Sequence, residues 1–452
     1  MSSYDAMHRL EAKRVVEERL IVEDEVRYMA YSLDVRAKKV NCFAAYKVAE
    51  ILEGQLSAPE PDTSVSSLAY LLGQVSIDDD FYGLVMRFKE WVTKPSAPLS
   101  EDQICSQFRD FVLYVMSILK ELRSEWFDNS QCRLLLPYSG SGGFWPKDSA
   151  ARYELNQALV LRPWGVEIGN GVDDPLYTDM LAIVQIMSAD TQSSSDLDGS
   201  DEESYSPLKT AQMRLVQSNP CLYENQHNRM VTWGLTVCES LVRIYHFGPD
   251  CILSSEDMDM TTAVGRYRFI DWLAALSLGD EDRRGFMPSL TFVGEPSPGY
   301  WVLRTPKLDD NGDETGEDAV FYSRQPSVRA FGNFSCHTRG FHVSASLETV
   351  DTPDLFVKVG WSKPIERMAG STDTPQNPEL EYLKRIKKEY EKSGDASIHV
   401  PLLVAGGVMT TRANGAPVQM TTDPIYGTKI IERLAVIDDE AQAAAGGSKP
   451  PQ

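Results

Sequence analysis

One lysine and one glutamate have the residue types and the spacing needed to hold an anion. Lys358 follows three apolar residues in the segment DLFVKVGW, residues 354–361, which predicts a strand. Glu379 precedes apolar residues of a predicted helix at 377–392 by three, four and seven positions. This spacing places its carboxylate toward the lysine, with Glu381 as the alternative. Such a pair would orient the Lys358 ammonium for phosphate oxygens, whereas the competing interpretation is an ordinary solvated pair.

The same two residue types act together in protein kinases, which this pair resembles. A kinase lysine in the third strand holds the α- and β-phosphates of ATP and pairs with a glutamate on the next helix. Further segments are similar to the fungal-type protein kinase family, over roughly residues 155–435. These segments are WGLTVCES (233–240), LVRIYHFGPDCILSS (241–255), FIDWLAALSLGDEDRRGFMPSL (269–290), VKVGWSK (357–363) and residues 400–407.

The resemblance implies a fold, a cofactor and an activity. It implies a kinase-like small lobe, an antiparallel sheet plus one helix, at residues 320–437. The implied cofactor is ATP with Mg²⁺, held through Lys358 and Glu379, and the family activity is phosphorylation of serine or threonine in proteins. An Arg-Gly-aromatic-x-Pro element of the family is matched by Arg284, Gly285, Phe286 and Pro288.

Two parts of the kinase machinery depart from the family pattern. The nucleotide loop corresponds to FSCHTRGF, residues 334–341, where Ser335 and His337 replace small residues while only Phe334, Thr338 and Arg339 match. Side-chain bulk there keeps backbone N–H groups away from phosphate. The sequence also contains no His-Arg-Asp and no Asp-Phe-Gly tripeptide. We therefore predict a family member that is truncated before the catalytic loop and inactive in phosphoryl transfer.

The alternative to a kinase family member with an inactive site is a protein without enzymatic function. It would be a pseudokinase-like protein that acts as an interaction partner or scaffold. A small lobe without its large lobe leaves one sheet face uncovered, and soluble monomers rarely expose large apolar patches. The middle domain or the tail at 438–452 could cover that face; otherwise the sequence predicts a protein partner or self-association.

A metal-dependent nuclease is a second enzyme hypothesis, for the middle of the chain. Members of the family resemble the restriction-endonuclease fold there, with Pro-Asp on one strand and Glu-x-Lys on a neighbouring strand. The matching positions here are Pro163-Trp164 and residues 185–187, Gln-Ile-Met. Both acids and the lysine are replaced, which favours a structural remnant over a nuclease.

Composition excludes several further classes. The 452 residues are 42% hydrophobic and 24% charged, as in folded globular proteins. A net charge of −22 disfavours nucleic-acid binding, because the surface would repel phosphates. No run approaches the roughly 20 apolar residues that span a membrane, and the N-terminus lacks a signal-peptide core. Seven cysteines without a CxxC pair favour free thiols. We expect an intracellular protein, cytoplasmic or nuclear, that is not secreted.

The elements that position these residues predict an α+β chain. We expect a helical N-terminal region at 1–136, an α/β domain at 150–306 and the kinase-like small lobe at 320–437. An acidic, serine-rich insertion at 189–205 and a tail at 438–452 are predicted to be disordered.

Local signals predict where some elements begin. Ser100 and Gln103 form a capping box ahead of apolar residues at helical spacing, and Ser206-Pro207 predicts another helix start. The glycine- and serine-rich segment 137–149 predicts a boundary between the helical region and the α/β domain.

Overall fold

The computed structural model describes a set of ranges that form two compact units. The described ranges are 20–22, 38–57, 79–93, 95, 97–124, 133–144, 155–163, 180–188, 206–248, 252–278, 284–294, 298–309, 314–328, 338–360, 378–393, 405, 410–413 and 416–419. The described residues up to Gly285 form the first unit, and those from Phe286 onward form the second.

Three helices, α1 (Lys38–Ser57), α2 (Asp79–Val92) and α3 (Glu101–Ser124), open the helical part of the first unit. The Gln103 N–H donates to Ser100 Oγ at 3.3 Å, and the Ser100 N–H donates to Gln103 Oε1 at 2.8 Å. This reciprocal pair satisfies donors that the start of a helix leaves without intrahelical partners. The capping box predicted from the sequence is confirmed.

The apolar side of α3 packs against α2. The Phe111 ring contacts those of Phe88 and Trp91 edge-on, with centroids 5.3 Å and 5.7 Å apart. All three side chains are fully buried. The helical spacing of apolar residues therefore marks a core, as the sequence predicted.

The sheet of the first unit has mixed strand directions. Its strands are β1 (Leu20–Val22), β2 (Arg133–Phe144), β3 (Leu155–Pro163), β4 (Met180–Met187), β5 (Thr232–Cys238), β6 (Leu241–Phe247), β7 (Ile252–Ser254) and β8 (Met258–Asp259). They lie in the order β1-β7-β6-β5-β4-β3-β2, with β8 beside β6. Strands β2, β3 and β4 are antiparallel neighbours, whereas β4 and β5 are parallel. Because a parallel pair needs a crossover, the chain between them includes α4 (Pro207–Ser218) and α5 (Pro220–Asn225).

Helices cover both faces of this sheet. A Cβ added at Gly234 of β5 would lie 2.8 Å from a methyl carbon of Leu215, so α4 approaches one face closely. The side chain of the preceding residue, Trp233, points to the other face, since side chains alternate along a strand. There its ring contacts Trp272 of α6 (Ala263–Leu278), with centroids 6.1 Å apart. The first unit is thus layered helix, sheet, helix.

The segment predicted as a boundary lies in a strand instead. Strand β2 runs through residues 137–144 and pairs with β3 from Arg133 to Ser139 and again at Phe144. The register shift between Ser139 and Phe144 accommodates the glycines, because ladder pairing uses the backbone. The predicted boundary is therefore wrong through residue 144, and α1 to α3 belong to the same unit as the sheet.

The described part of the second unit contains small antiparallel sheets. Their strands are β9 (Leu290–Val293), β10 (Tyr300–Leu308), β11 (Glu314–Ser323), β12 (Pro326–Val328), β13 (Arg339–Val343), β14 (Leu355–Val359), β15 (Thr410–Ala413) and β16 (Ala416–Gln419). One sheet has the order β11-β10-β9, a second has the order β12-β13-β14, and β15 pairs with β16. Helix α7 (Pro378–Ser393) follows β14 and agrees with the predicted helix at 377–392.

Backbone hydrogen bonds join the first two of these sheets. Tyr322 and Ser344 exchange N–H to carbonyl bonds of 2.9 Å in both directions. Leu303 of one sheet and Phe341 of the other are buried. The described residues between 286 and 306, which the sequence assigned to the α/β domain, lie in this unit, where β10 pairs along most of its length with β11.

Two predicted segments, 189–205 and 438–452, fall outside the described residues. Among the described helices, none combines the length and the apolar character needed to cross a bilayer. Helix α3 has 24 residues, but charged residues such as Arg109 and Asp110 interrupt it.

Candidate functional site

Lys358 lies in β14, the third strand of the sheet β12-β13-β14. Its Cα partner on β13 is Gly340, and Gly340 lies opposite Val328, the last residue of β12. The segment that joins β12 to β13 therefore leaves the sheet at the end where Lys358 lies. Lys358 thus lies beside the base of the β12–β13 hairpin, and the loop of this hairpin is the one that the sequence predicted to bind the nucleotide.

Two aromatic residues share a face with Lys358. Phe356 lies two positions before Lys358 on β14. Its Cα partner on β13 is His342, the residue before the last one of that strand. Since side chains alternate along strands and directly opposed residues share a face, all three side chains stand on one side of the sheet. All three are exposed, Phe356 to 54%. This face is polar and aromatic, with a cation at one end.

The opposite face of β13 is part of the core. Arg339, Phe341 and Val343 are each exposed by no more than 1%. Arg339 was expected among the residues that match the nucleotide loop, yet its position in the strand places its side chain away from the Lys358 face. The sequence match did not reveal this, because the side of the sheet on which a side chain lies depends on where the strand begins.

Two residues of the predicted nucleotide loop, Ser335 and His337, lie outside the described residues. The described chain resumes at Thr338, directly before β13. The structure therefore fixes where the loop enters β13, and the effect of bulk within the loop stays a prediction.

Glu379, the predicted partner of Lys358, lies in the first turn of α7, which begins at Pro378. The side chains of Glu379 and of the alternative, Glu381, lie outside the described residues. Among the apolar residues used in the spacing argument, Leu383 and Ile386 are half-buried. The Lys358–Glu379 ion pair accordingly stays a prediction.

The Arg-Gly element at residues 284–285 has a structural role in the first unit. Arg284 is 1% exposed, and its guanidinium donates to the carbonyl oxygens of Leu276 and Ser277, both at 2.7 Å. These carbonyls belong to the last turn of α6, where intrahelical donors are missing. Gly285 has φ +94°, and a Cβ there would lie 2.3 Å from the Val231 carbonyl oxygen. Only glycine fits this close approach.

The described positions of the proposed nuclease remnant are not brought together. Strands β3 and β4 are antiparallel, with Gln157 opposite Val184 and Val160 opposite Met180. Pro163 therefore lies beyond the start of β4, whereas Gln185 lies toward its end, about 20 Å away along the strands. No group of three or more His, Cys, Asp or Glu side chains with metal-site geometry occurs in the described part of the chain. Pro163 and Gln185 are therefore too far apart to bind one metal ion, while Trp164, which matches the first acid, lies outside the described residues.

Sequence reasoning singled out Lys358 and missed its neighbours on the sheet. The period of two along DLFVKV was a sufficient signal to place Phe356 on the same face. No local signal could have placed His342 there, because strand register depends on pairing between segments distant in the chain.

Comparison with known proteins gave no match: no family model, no curated protein and no solved structure is significantly similar to the chain.

Proposed function

We propose that the chain is a member of the fungal-type protein kinase family whose second unit is a kinase-like small lobe. In this proposal Lys358 binds the phosphates of ATP with Mg²⁺, and Glu379 orients the lysine. The observation that carries the proposal is the register of Lys358. It lies in the third of three antiparallel strands, beside the base of the β12–β13 hairpin, and a helix follows.

The chemistry of this position suits a phosphate group. The residue opposite Lys358 is Gly340, which contributes no side chain that could compete for the ligand. An ammonium group attracts phosphate oxygens, which matters in a chain with a net charge of −22 because the rest of the surface repels anions on average. Lys358 is exposed, so a ligand from solvent can approach its side chain.

The same proposal assigns no phosphoryl transfer to the 452-residue chain. Kinase catalysis depends on an aspartate that orients the substrate hydroxyl and on another that holds magnesium. The sequence contains neither the His-Arg-Asp nor the Asp-Phe-Gly tripeptide that supplies them. The bound nucleotide would therefore act as a ligand that stabilises the unit.

Titration of the full chain with ATP and Mg²⁺ tests the proposal. We expect Lys358→Ala to weaken ATP binding about ten-fold, since hydrogen bonds to charged groups contribute about 1.5–3 kcal/mol. Lys388→Ala is the matched control, because it removes an exposed lysine from α7 and should leave affinity unchanged. We also expect no phosphate incorporation above that of Lys358→Ala. Equal binding by all three proteins, or incorporation that depends on Lys358, would contradict the proposal.

The exposed aromatic surface favours a second candidate, a non-enzymatic interaction protein. An apolar side chain such as Phe356, with 54% of its surface in solvent, suits a protein partner as well as a nucleotide. Absence of ATP binding, together with association that depends on Phe356, would favour this candidate over the first.

A further inference from the structure

The sheet β9-β10-β11 ends on one side at β9, a short strand without charged residues. β9 pairs with β10, and no strand lies on its other side within the described part of the chain. The strand at the other edge, β11, begins with exposed acidic residues, Glu314, Glu317 and Asp318. Charged side chains on an edge strand oppose the addition of another strand. β9 has no such charges, so it is the edge of this sheet that can accept one.

The register with β10 shows which backbone groups of β9 face the open edge. The Arg304 N–H donates to the Ser289 carbonyl oxygen at 2.8 Å. Bonded and non-bonded pairs alternate along an antiparallel ladder, so Phe292, three positions later, belongs to a non-bonded pair. The N–H and the carbonyl group of Phe292 therefore point away from β10. The Leu290 N–H points the same way, and it already donates to the Met287 carbonyl oxygen at 3.2 Å.

The Phe292 ring is exposed and yet held in place. It is 52% exposed, and its centroid lies 5.1 Å from that of the Trp301 ring. A Cβ at Gly299 would lie 2.5 Å from the Phe292 ring, so the ring lies against the backbone where any other residue would displace it. The Arg324 guanidinium fixes the preceding residue by donating to the Pro298 carbonyl oxygen at 2.6 Å. An ordered apolar ring and an open backbone N–H and carbonyl group thus belong to one residue.

We propose that β9 binds an extended, basic segment of a partner protein as an added strand, with Phe292 as its anchor. This proposal does not depend on nucleotide binding. The backbone of the partner segment bonds to the Phe292 N–H and carbonyl group, and the partner residue opposite Phe292 has its side chain on the same face as the ring. A large apolar side chain at that point buries the exposed side of the ring.

Charge complementarity determines the chemistry of the partner. The chain has a net charge of −22, and residues 309–318, between and within β10 and β11, include six acidic residues and no basic one. The field of such a surface attracts lysine and arginine and repels acidic segments. A second copy of this chain carries the same negative charge, which disfavours it as the occupant. The segment that fits β9 is therefore basic, with an apolar residue at its centre.

A synthetic peptide, Lys-Lys-Val-Thr-Trp-Thr-Val-Lys-Lys, is the probe for titration of the full-length protein. We expect it to bind, and Phe292→Ala to weaken its binding about five-fold because one aromatic pair is lost. Phe292→Trp keeps an aromatic ring and should retain the affinity. Phe356→Ala is the matched control, since it removes a ring of similar exposure, 54%, from β14 in another sheet and should change nothing.

Two altered peptides separate strand pairing from unspecific apolar contact. N-methylation of the central tryptophan removes the N–H that donates to the Phe292 carbonyl oxygen, and should weaken binding about five-fold. Glutamates in place of the lysines should weaken it at least about ten-fold, and salt should weaken binding of the lysine peptide. Amide hydrogen exchange reports the pairing directly. The Phe292 amide should become protected when the peptide binds, whereas the Thr291 amide, which faces β10, is protected beforehand.

Each contrary result overturns a stated part of the proposal. If the lysine peptide does not bind, or binds without protecting the Phe292 amide, strand addition at β9 is overturned. Equal losses in Phe292→Ala and Phe356→Ala would show adsorption to exposed rings without a defined site. Equal binding of the glutamate and lysine peptides would overturn the basic partner. If the protein is dimeric in sedimentation and the peptide dissociates the dimer, the occupant is a second copy of the chain.

Discussion

Two buried arginines of the first unit, Arg229 and Arg284, have guanidinium groups that donate to backbone carbonyl oxygens. The Arg229 guanidinium is fully buried and donates to the carbonyl oxygens of Leu181 at 2.7 Å and of Arg284 at 2.5 Å. Burial lowers the pKa of Arg229 to about 9, an effect that Tyr223 opposes and the Arg284 charge reinforces. Arg229 therefore still carries its charge at neutral pH, and its bonds tie β4 to the segment after α6.

A buried histidine of the same unit, unlike Arg229, is uncharged at neutral pH. His246 of β6 is 2% exposed, and its ring contacts that of Trp233 with centroids 4.6 Å apart. Burial lowers the pKa of His246 to about 3, from an ordinary value of 6.5. The side chain is thus neutral in the folded protein at any pH at which that protein is usually handled.

We predict that His246 makes the first unit sensitive to acid. Between pH 6.5 and pH 3 the unfolded chain binds a proton at this position and the folded chain does not, so stability falls as pH falls through that window. Between pH 7 and pH 5 the loss from this residue is about 2 kcal/mol. In denaturant unfolding, His246→Leu should lose that much less stability than the parent over the same interval. Identical losses would show that His246 titrates normally in the folded state.

Residue type alone did not distinguish the structural residues from the candidate ligand residues. Arg284 and Lys358 were both singled out in the sequence as residues of short motifs matched to the proposed family. The structure buries Arg284 against the end of a helix and leaves Lys358 exposed on a strand. Burial is a property of the tertiary fold, so a short motif cannot show whether its cation binds backbone or ligand.

At the scale of elements, the start of α3 offers a direct test of local sequence signals. Removing the Ser100 hydroxyl takes away the acceptor of the Gln103 N–H, so Ser100→Ala should lower the free energy of unfolding by about 1 kcal/mol. Ser106→Ala makes the same chemical change at an exposed position inside α3. Because alanine favours helix interiors, this control should be neutral or slightly stabilising in the same unfolding experiment. Equal losses in both variants would mean that the cap contributes nothing.

The capping box shows which elements the sequence could predict. The starts of α3 and α4 follow from short local signals, Ser100 with Gln103 and Ser206 with Pro207. In the structure the Ser206 side chain accepts a hydrogen bond from the Lys209 N–H. The hydrogen bonds that define such a start join residues close in the chain, so local sequence contains the information. The α+β class followed from the same kind of signal, summed over many elements.

Strand β2 shows which elements the sequence could not predict. Its residues 139–143, SGSGG, have the composition of a flexible connection, yet they continue a strand that pairs with β3. The partner strand supplies the order through backbone bonds, and the shifted register absorbs the extra residues. The register of Lys358 with Gly340 was equally hidden, since it depends on two segments 18 residues apart.

Long-range side-chain bonds tie α1 and α2 to α6, the helix that packs on the sheet through Trp272, which explains why the predicted domain boundary was wrong. Arg266 of α6 donates to both carboxylate oxygens of Glu53, at 2.6 Å and 2.7 Å, and to the Val92 carbonyl oxygen at 2.9 Å. One guanidinium thus joins α1, α2 and α6. Helices held in this way cannot form a separate domain, although their own periodicity suggested one.

At the scale of the whole molecule, two opposing effects govern association. A net charge of −22 repels one copy from another, while an exposed aromatic side chain on the Lys358 face favours burial against a second copy. The range of repulsion falls from about 30 Å at 0.01 M salt to about 10 Å at 0.1 M. Apolar burial is not screened by salt in this range, so the balance shifts toward contact as salt rises.

We therefore predict a salt-promoted shift from monomer toward oligomer in sedimentation velocity, at a fixed protein concentration and without nucleotide. If the Lys358 face is the contact surface, Phe356→Ser should abolish the shift by removing the exposed apolar area. Phe292→Ser, which removes a ring of similar exposure from β9, should leave it intact. A parent chain that stays monomeric at every salt concentration would show that the unit tolerates this exposed face. A shift lost in Phe292→Ser and kept in Phe356→Ser would move the contact surface to the β9–β10–β11 sheet, because only that sheet would then supply the apolar area that two copies bury.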